Sequence, residues 1–378
     1  MKINLSDNGH HQKFAPLSLT RPVGQLRMGL FTNEERYRMF IPEVEIGYET
    51  EEYLASKYKS VDTDITANSN VIPNEDLVAA ICNLEDNQSL IFDGVELAKK
   101  GSGDDKIAFT GEEPVIITER WHLFQYNDRV LSHDFSCYTA NRKSQDLSES
   151  NTLIGDPAQL FIEEGATVEG SILNTSTGPI YIGQNAEIME GCLIRGGLAV
   201  CDNAQLKMGS KIYGATTIGP YCKVGGEVSN VIFQSYSNKG HDGFLGNSVI
   251  GEWCNLGADT NTSNLKNNYS SVRTYSYELT KEIQTDIQFM GLIMGDFSKS
   301  GINSMFNTAT VVGVSCTIFG SGFPNKHISC FSWVNGTETS DFILDKAFEA
   351  ADNMMQRRNL KLSTEEQDIL RHLSETKP

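Results

Sequence analysis

Between Ile182 and Val224 an aliphatic residue stands at every sixth position: Ile182, Ile188, Ile194, Val200, Leu206, Ile212, Ile218 and Val224. Several of these open a longer unit of aliphatic, small residue, two or three variable residues, small residue and the next aliphatic. Ile182-Gly183-Gln184-Asn185-Ala186-Glu187-Ile188 and Ile218-Gly219-Pro220-Tyr221-Cys222-Lys223-Val224 are two copies, and Ile250 to Leu256 and Val312 to Ile318 repeat the form. A six-residue period with a fixed aliphatic and a recurrent Gly predicts a parallel β-helix of hexapeptides, each short strand pointing one apolar side chain inward and Gly accommodating the corners. Three units make a coil of about 18 residues, and stacked coils bury a continuous core that no single coil could bury.

The solenoid is expected to begin at Ile154, with Ile162 to Val168 as an early coil. Ile218 to Ile250 spans 32 residues, which is not a multiple of six, and predicts an inserted segment containing His241. A second interruption is expected at about 270–286, before the repeat resumes near Met294.

Residues 1–150 carry no repeat and alternate strand-like with helix-like segments, which predicts a layered α/β domain. Lys2 to Leu5 reads as the first strand, Thr32 to Met39 and Glu51 to Ser56 as helices, and Asn70 to Pro73 as a strand end before a helix over Asn74 to Leu84. Leu90 to Phe92 and Val115 to Thr118 read as strands, and the Gly- and charge-rich stretch between Gly101 and Glu113 as exposed or loosely ordered. Trp121 to Phe124 opens a helix leading towards Asp134-Phe135, and the polar stretch Asn141 to Gln145 marks the boundary. The β-helix is expected over 151–333. From 334 to 378, Phe342, Leu344, Ala347, Phe348, Ala351 and Met355 recur at helical spacing, and Ser363-Thr364-Glu365-Glu366 opens a second helix, so this tail is expected to brace the solenoid's open end.

With 378 residues, the chain exceeds what one core usually organises. Its net charge of −18, from 31 basic and 49 acidic residues, opposes non-specific nucleic-acid binding. No apolar run suggests a signal peptide or a membrane span, and a cytoplasmic location is expected. The eight cysteines show no zinc spacing, and Cys222, Cys254 and Cys316 fill the small-residue slot of a coil, so buried reduced thiols are expected.

Two places carry candidate chemistry. In Ala15-Pro16-Leu17-Ser18-Leu19-Thr20-Arg21-Pro22, with Arg27 six residues beyond Arg21, two arginines after a first strand can hold a nucleoside triphosphate; ordinary pairing with surface carboxylates is the alternative. No Gly-rich phosphate loop accompanies them. In the solenoid, His241 lies between Gly240 and Gly243, and a neutral imidazole can take a proton from an attacking amine or hydroxyl. Asn255, Asn261, Asn264 and Lys266 follow, with amides suited to sugar hydroxyls and an ammonium suited to phosphate; Asn residues that stabilise solenoid turns and a His that caps a loop are the alternative.

The repeat, His241-Asp242-Gly243-Phe244-Leu245-Gly246 and Ser263-Asn264-Leu265-Lys266-Asn267-Asn268-Tyr269 together resemble the bifunctional N-acetylglucosamine-1-phosphate uridyltransferase and glucosamine-1-phosphate acetyltransferase family. Leu17 to Pro22 resembles its divergent Bacteroidetes-type branch. The resemblance implies a nucleotidyltransferase-like α/β domain joined to a left-handed parallel β-helix of hexapeptide repeats with a C-terminal helical extension, assembled as a homotrimer. It implies acetyl transfer from acetyl-CoA to a hexosamine 1-phosphate, with His241 as general base, in UDP-N-acetylglucosamine-type synthesis. Lys211, Glu227, Phe244 and Asn255 then fall on substrate positions, with Lys266 a further candidate, and Ala258 and Asn264 on acetyl-CoA contacts. Arg21 and Arg27 resemble the basic residues that contact the triphosphate, and Mg²⁺ is the metal that nucleotidyl transfer would use.

The pattern also departs from the family. A phosphate-binding Lys is replaced by Ser229, so Lys239 or Lys266 would have to supply the charge, and Leu265 stands where the family has Tyr. Asn68 and Asn70 lie near the place of a metal-binding Asp. These departures favour the alternative of a non-catalytic sugar-nucleotide binding or assembly protein that keeps the trimeric scaffold.

Overall fold

A computed structural model describes residues 1–378. The chain packs as two compact units, Met1–Arg27 with Phe31–Arg120, and Met28–Leu30 with Trp121–Pro378.

In the first unit, strands Glu45–Glu49, Lys2–Ser6 and Ile65–Asn68 lie side by side in parallel, and Val95–Lys100, Gln88–Phe92 and Asp105–Ala108 extend the sheet. Ile3, Leu5, Ala67, Leu90 and Leu97 face a core closed by Tyr37, Leu77, Val78 and Ile81 from helices Asn33–Phe40 and Glu75–Cys82. The first helix starts where its cap residues dictate: Thr32 Oγ1 accepts from the Glu35 N–H and the Glu35 carboxylate from the Thr32 N–H. Asn74 caps the second by accepting from Leu77 N–H. Glu52–Leu54 is a single 3₁₀ turn rather than the longer helix expected. The stretch expected to be loosely ordered instead holds Asp105–Ala108, an edge strand in parallel register with Gln88–Ile91. Its charged residues hid it, since charge is how a sheet edge is kept from pairing further.

The second unit opens with helices His122–Gln125 and Asn127–Thr139 and continues as a parallel β-solenoid. The expected coil length holds where the six-residue phase is unbroken: Ile182 pairs with Val200 and Val200 with Ile218, Ile188 with Leu206 and Leu206 with Val224, Ile194 with Ile212. All eight aliphatics are buried in one core.

The 32-residue phase break is a different event from the one expected. Ile218 pairs with Phe233 and Phe233 with Ile250, so two coils of 15 and 17 residues fill the interval and nothing is inserted. Both coils are trimmed at their corners. Strands Glu227–Phe233 and Phe244–Ile250 run through a corner that earlier coils break, with left-handed Asn230 and Asn247 making the bend. The later interruption is a true insertion. Ile250 pairs with Met294, and the intervening chain forms the antiparallel hairpin Arg273–Ser276 with Lys281–Gln284.

The Gly that follows an aliphatic in the repeat has a steric reason. A Cβ on Gly219 would lie 1.3 Å from the Gln234 carbonyl oxygen of the next coil, and one on Gly313 would lie 2.5 Å from the Cys330 nitrogen. Two residues further round the same corner bulky residues accept the left-handed conformation: Tyr221, Tyr236 and Trp253 have φ of 62°, 58° and 57°. Their rings stack coil on coil at 5.0 and 4.2 Å, which offsets the strain.

The solenoid's last sheet is closed by the antiparallel strand Glu338–Asp341 against Ser332–Asn335. Helices Leu344–Gln356 and Thr364–Thr376 follow, the second with a Ser363–Glu366 capping box. Arg358 then donates to the Tyr221 carbonyl, 3.3 Å away and several coils before the end, so the tail braces the side of the solenoid and the added strand covers its edge. No helix is long and apolar enough to cross a membrane.

All eight cysteines are free thiols, and six of them, including Cys222, Cys254 and Cys316, are buried. Burial pushes Cys316 up to about 11 and Cys330 up to about 12. A thiol reagent at pH 8 is therefore expected to label exposed Cys82 rapidly, Cys137 more slowly, and the other six only after denaturation. Rapid labelling of three or more thiols in the native protein would contradict this packing.

Candidate functional site

The candidate residues of the solenoid lie on two faces and the corner between them. Lys211, Glu227 and Phe244 stand in direct register on three successive strands, although 16 and 17 residues separate them along the chain. The same side of adjacent strands therefore presents an ammonium, a carboxylate and a ring about 4.8 Å apart per step. Tyr213, two residues beyond Lys211, donates its hydroxyl to Glu227 at 2.6 Å. That bond, and then burial, push the Tyr213 phenol up to about 12. Tyr213 shares the Lys211 side of its strand through period-two alternation, a signal that no motif in the sequence marks. Below this column lies an open groove of about 460 Å³, lined by Ile172, Leu193, Arg195, Lys211 and Tyr213.

Phe244 and Asn264 meet at Gly246, where an added Cβ would lie 2.6 Å from the Phe244 ring and 2.7 Å from the Asn264 amide. The Asn264 amide donates to Asn247 Oδ1 at 2.7 Å, and Asn261 Oδ1 accepts from the Phe244 N–H at 2.8 Å. Asn255 is on the neighbouring face, exposed, in register with Asn238 on one side and Lys299 on the other. Lys299 donates to the Phe297 carbonyl at 3.0 Å, and burial pushes its ammonium down from the usual lysine range.

His241 is exposed on the corner between these two faces, joining Asn238–Lys239 to Phe244–Ile250. Ala258 is on the next corner, and the Asp259 N–H donates to the Asp242 carbonyl, so the two corners are stacked. His241 thus stands between the Lys211–Glu227–Phe244 column and Asn255, with Ala258 one coil on. Lys266 is on the loop beyond, its ammonium held by the Ser270 hydroxyl and the Ser271 carbonyl at 3.0 Å each. Lys239 does not replace the lost lysine at Ser229. It is 1% exposed and bonded to the Gly225 and His241 carbonyls at 3.0 and 2.9 Å, facing the core where a ligand phosphate cannot reach it.

In the first unit, the C-terminal ends of the parallel strands Lys2–Ser6 and Ile65–Asn68 form the second candidate region, the usual ligand edge of such a sheet. Asp7, just past the first strand, accepts from Val23 N–H at 2.8 Å and Thr50 Oγ1 at 2.6 Å, and pairs with His11 Nδ1 at 2.8 Å. His11 Nε2 lies 3.3 Å from the Tyr53 hydroxyl, which donates to the Leu19 carbonyl. This buried network, which no spacing announced, shapes the loop bearing Arg21 and Arg27. Both arginines are 6% exposed, and Arg27 pairs with Glu35 at 2.8 Å. Although burial works against it, the Arg27 charge holds the Glu35 carboxyl below its usual range.

A Mg²⁺ ion fits this edge poorly. Among the described residues no group of three or more His, Cys, Asp or Glu side chains could hold a metal. Asp7 already accepts on both oxygens, while the Asn68 and Asn70 amides donate to the Glu96 and Ile117 carbonyls. Two buried oxygens there, Ser69 Oγ and Asn70 Oδ1, have no hydrogen-bond partner. They are neutral, and Mg²⁺ sites of this kind rely on carboxylates and phosphates.

Residues 3–143 match the sugar nucleotidyl transferase family. The matched segment extends past Arg120, so it includes the two helices that pack in the second unit. Among curated proteins the chain is similar to bifunctional protein GlmU of Synechococcus elongatus, at 25% identity over 57% of this chain and 48% of that one. It is similar to bifunctional protein GlmU of Methanocaldococcus jannaschii at 31% identity, over 29% of this chain and 26% of that one. The chain thus spans about half the length of the first of these relatives. A UDP-N-acetylglucosamine acyltransferase from Campylobacter jejuni overlaps 60% of this chain and 95% of its own at 14% identity, but the TM-score of 0.24 is too low to bear on the fold.

Proposed function

We propose that this GlmU-like chain, with its sugar nucleotidyl transferase-family domain and parallel β-solenoid, is a transferase of amino-sugar nucleotide synthesis. The solenoid transfers acetyl from acetyl-CoA to a hexosamine 1-phosphate. The observation that carries this reading is the exposed His241 corner standing between the in-register column Lys211–Glu227–Phe244 and Asn255.

In this reading His241 takes the proton from the sugar amine as its nitrogen attacks the thioester carbonyl carbon. The C–S bond then breaks and CoA leaves as a thiolate that is protonated. Lys211 faces the acceptor's phosphate, Glu227 with Tyr213 orients its polar groups, and Phe244 packs on the apolar face of the sugar ring. Asn255 supplies an amide to sugar hydroxyls, while Ala258 and Asn264 lie along the path of acetyl-CoA. Lys266 adds positive charge near that path. Assembly as a homotrimer belongs to the same proposal, and the exposed apolar groove beside Lys211 is surface that a neighbouring copy would cover.

For the first unit the proposal is a sugar-phosphate nucleotidyl transfer site at the Asp7 edge, with Arg21 and Arg27 towards the triphosphate. The engagement of Arg27 by Glu35 and the poor fit to Mg²⁺ favour weak transfer or a binding role for this unit.

Incubation with acetyl-CoA and a panel of hexosamine 1-phosphates, read as release of CoA thiol, tests the solenoid's activity. Release with one acceptor identifies the substrate, and none with any acceptor leaves the binding role. Asn255→Ala is expected to raise the acceptor's KM between about two- and tenfold with little change in kcat, the loss of one hydrogen bond. An unchanged KM would remove Asn255 from the site.

A further inference from the structure

The inward ladder of the solenoid face that carries Asn255 runs Val168, Ile188, Leu206, Val224 and then Lys239 in register, with Leu256 on the next coil. A lysine therefore occupies a rung that the neighbouring coils fill with an aliphatic, and it is 1% exposed. Burying an ammonium among apolar side chains is costly unless its donors are met. Here two of its three donors are met by carbonyls, Gly225 on the preceding coil at 3.0 Å and His241 at 2.9 Å.

The shape of the preceding corner makes this arrangement possible. Four residues join Gln205–Leu206 to Lys211–Tyr213, and four join Asn238–Lys239 to Phe244–Ile250, but only Gly225 and Gly226 join Lys223–Val224 to Glu227–Phe233. The four-residue His241 corner consequently overhangs a two-residue one. The Lys239 side chain fills the step: a Cβ on Gly226 would lie 2.8 Å from Lys239 Nζ and 2.8 Å from the His241 oxygen. A core position surrendered to a charge, opposite a shortened Gly-Gly corner, is the kind of local inconsistency that proteins keep at working sites.

We propose that Lys239 is a positioning residue for acyl transfer: its ammonium ties the His241 carbonyl to the Gly225 carbonyl and so holds the corner from which the His241 imidazole works. The inference rests on the reading of His241 as general base. The charged or titratable groups around the ammonium are Asp242 and His241 on its own corner, Asp259 on the next, and Lys207, which packs beside Gly225 on the coil below. Burial pushes Lys239 down to about 8, with Asp242 and Asp259 opposing the shift. Above that pH the ammonium gives up one proton; the amine's remaining two N–H can still reach both carbonyls, but without the charge that strengthens the bonds.

The test compares wild type with Lys239→Met between pH 6.5 and 10, reading thiol release and amide hydrogen exchange over 238–247. The variant is expected to fold with no loss of stability, because an apolar residue of similar length replaces a buried charge. Its kcat is expected to fall between about ten- and a hundredfold, with KM for acetyl-CoA nearly unchanged, through a misplaced base. Exchange at 240–243 should quicken. The wild-type kcat should decline through about pH 8 on a limb that the variant lacks. Wild-type kcat and wild-type exchange in the variant would overturn the proposal.

If wild type releases no thiol with any acceptor, the acetyl-transfer reading falls, yet exchange still decides the tie: faster exchange in Lys239→Met upholds it and unchanged exchange overturns it. Should the variant not fold, wild type alone gives the answer. Exchange at 240–243 that rises across pH 8 beyond the intrinsic base-catalysed rate supports the tie, and exchange that follows the intrinsic rate overturns it.

Discussion

Replacing His241 by Ala is expected to lower CoA-thiol release between about 10²- and 10⁴-fold, the range that a positioned general base contributes. The side chain is exposed on its corner, and the bond from Lys239 goes to the backbone carbonyl, which alanine retains. Stability should therefore change by less than about 0.5 kcal/mol, as for an ordinary surface substitution. KM for either substrate should move little, since the imidazole acts on a proton that leaves only as the C–N bond forms. A variant that retains more than a tenth of wild-type release would take the base role from His241. In that case proton removal would have to come from solvent or from a neighbouring carboxylate such as Glu227.

The largest expected effect on stability comes from a residue with no chemistry. Gly219→Ala is expected to cost about 3 kcal/mol or more, at or beyond the upper end for overpacking, because the new methyl would sit 1.3 Å from a backbone oxygen. The obstacle belongs to the next coil's main chain, so a rotamer change cannot relieve it. The Gly219 N–H donates to the Phe233 carbonyl at 3.0 Å, and that coil-to-coil bond would have to lengthen. Denaturant unfolding measures the difference, and a loss under about 1 kcal/mol would show that the coils can separate locally. Phe233, which follows Ile218 in the core ladder, would move with it.

Much of this fold was legible in residue order. The six-residue aliphatic period named the inward positions of the unbroken coils, and Thr32, Asn74 and Ser363 marked the helix starts that the structure shows. The candidate site was legible residue by residue through family resemblance, yet its layout was not. Lys211, Glu227 and Phe244 read as three scattered positions and prove to be one column. Lys239 read as a replacement for a missing phosphate ligand and proves to be a core residue bonded to two carbonyls.

The reason is the range over which each kind of information acts. Side-chain direction alternates along a strand and a cap acts within one turn, so composition and spacing determine which residues face inward and where helices begin. The stacking of coils is set by backbone bonds between residues 15 to 44 positions apart, as in Ile218 with Phe233 and Ile250 with Met294. A 32-residue interval can hold one full coil plus an insertion or two trimmed coils, and local pattern is the same for both. The tertiary structure chose two trimmed coils. That choice shortened the Gly225-Gly226 corner, turned Lys239 into the step beneath His241 and brought the column and Asn255 to either side of the candidate base.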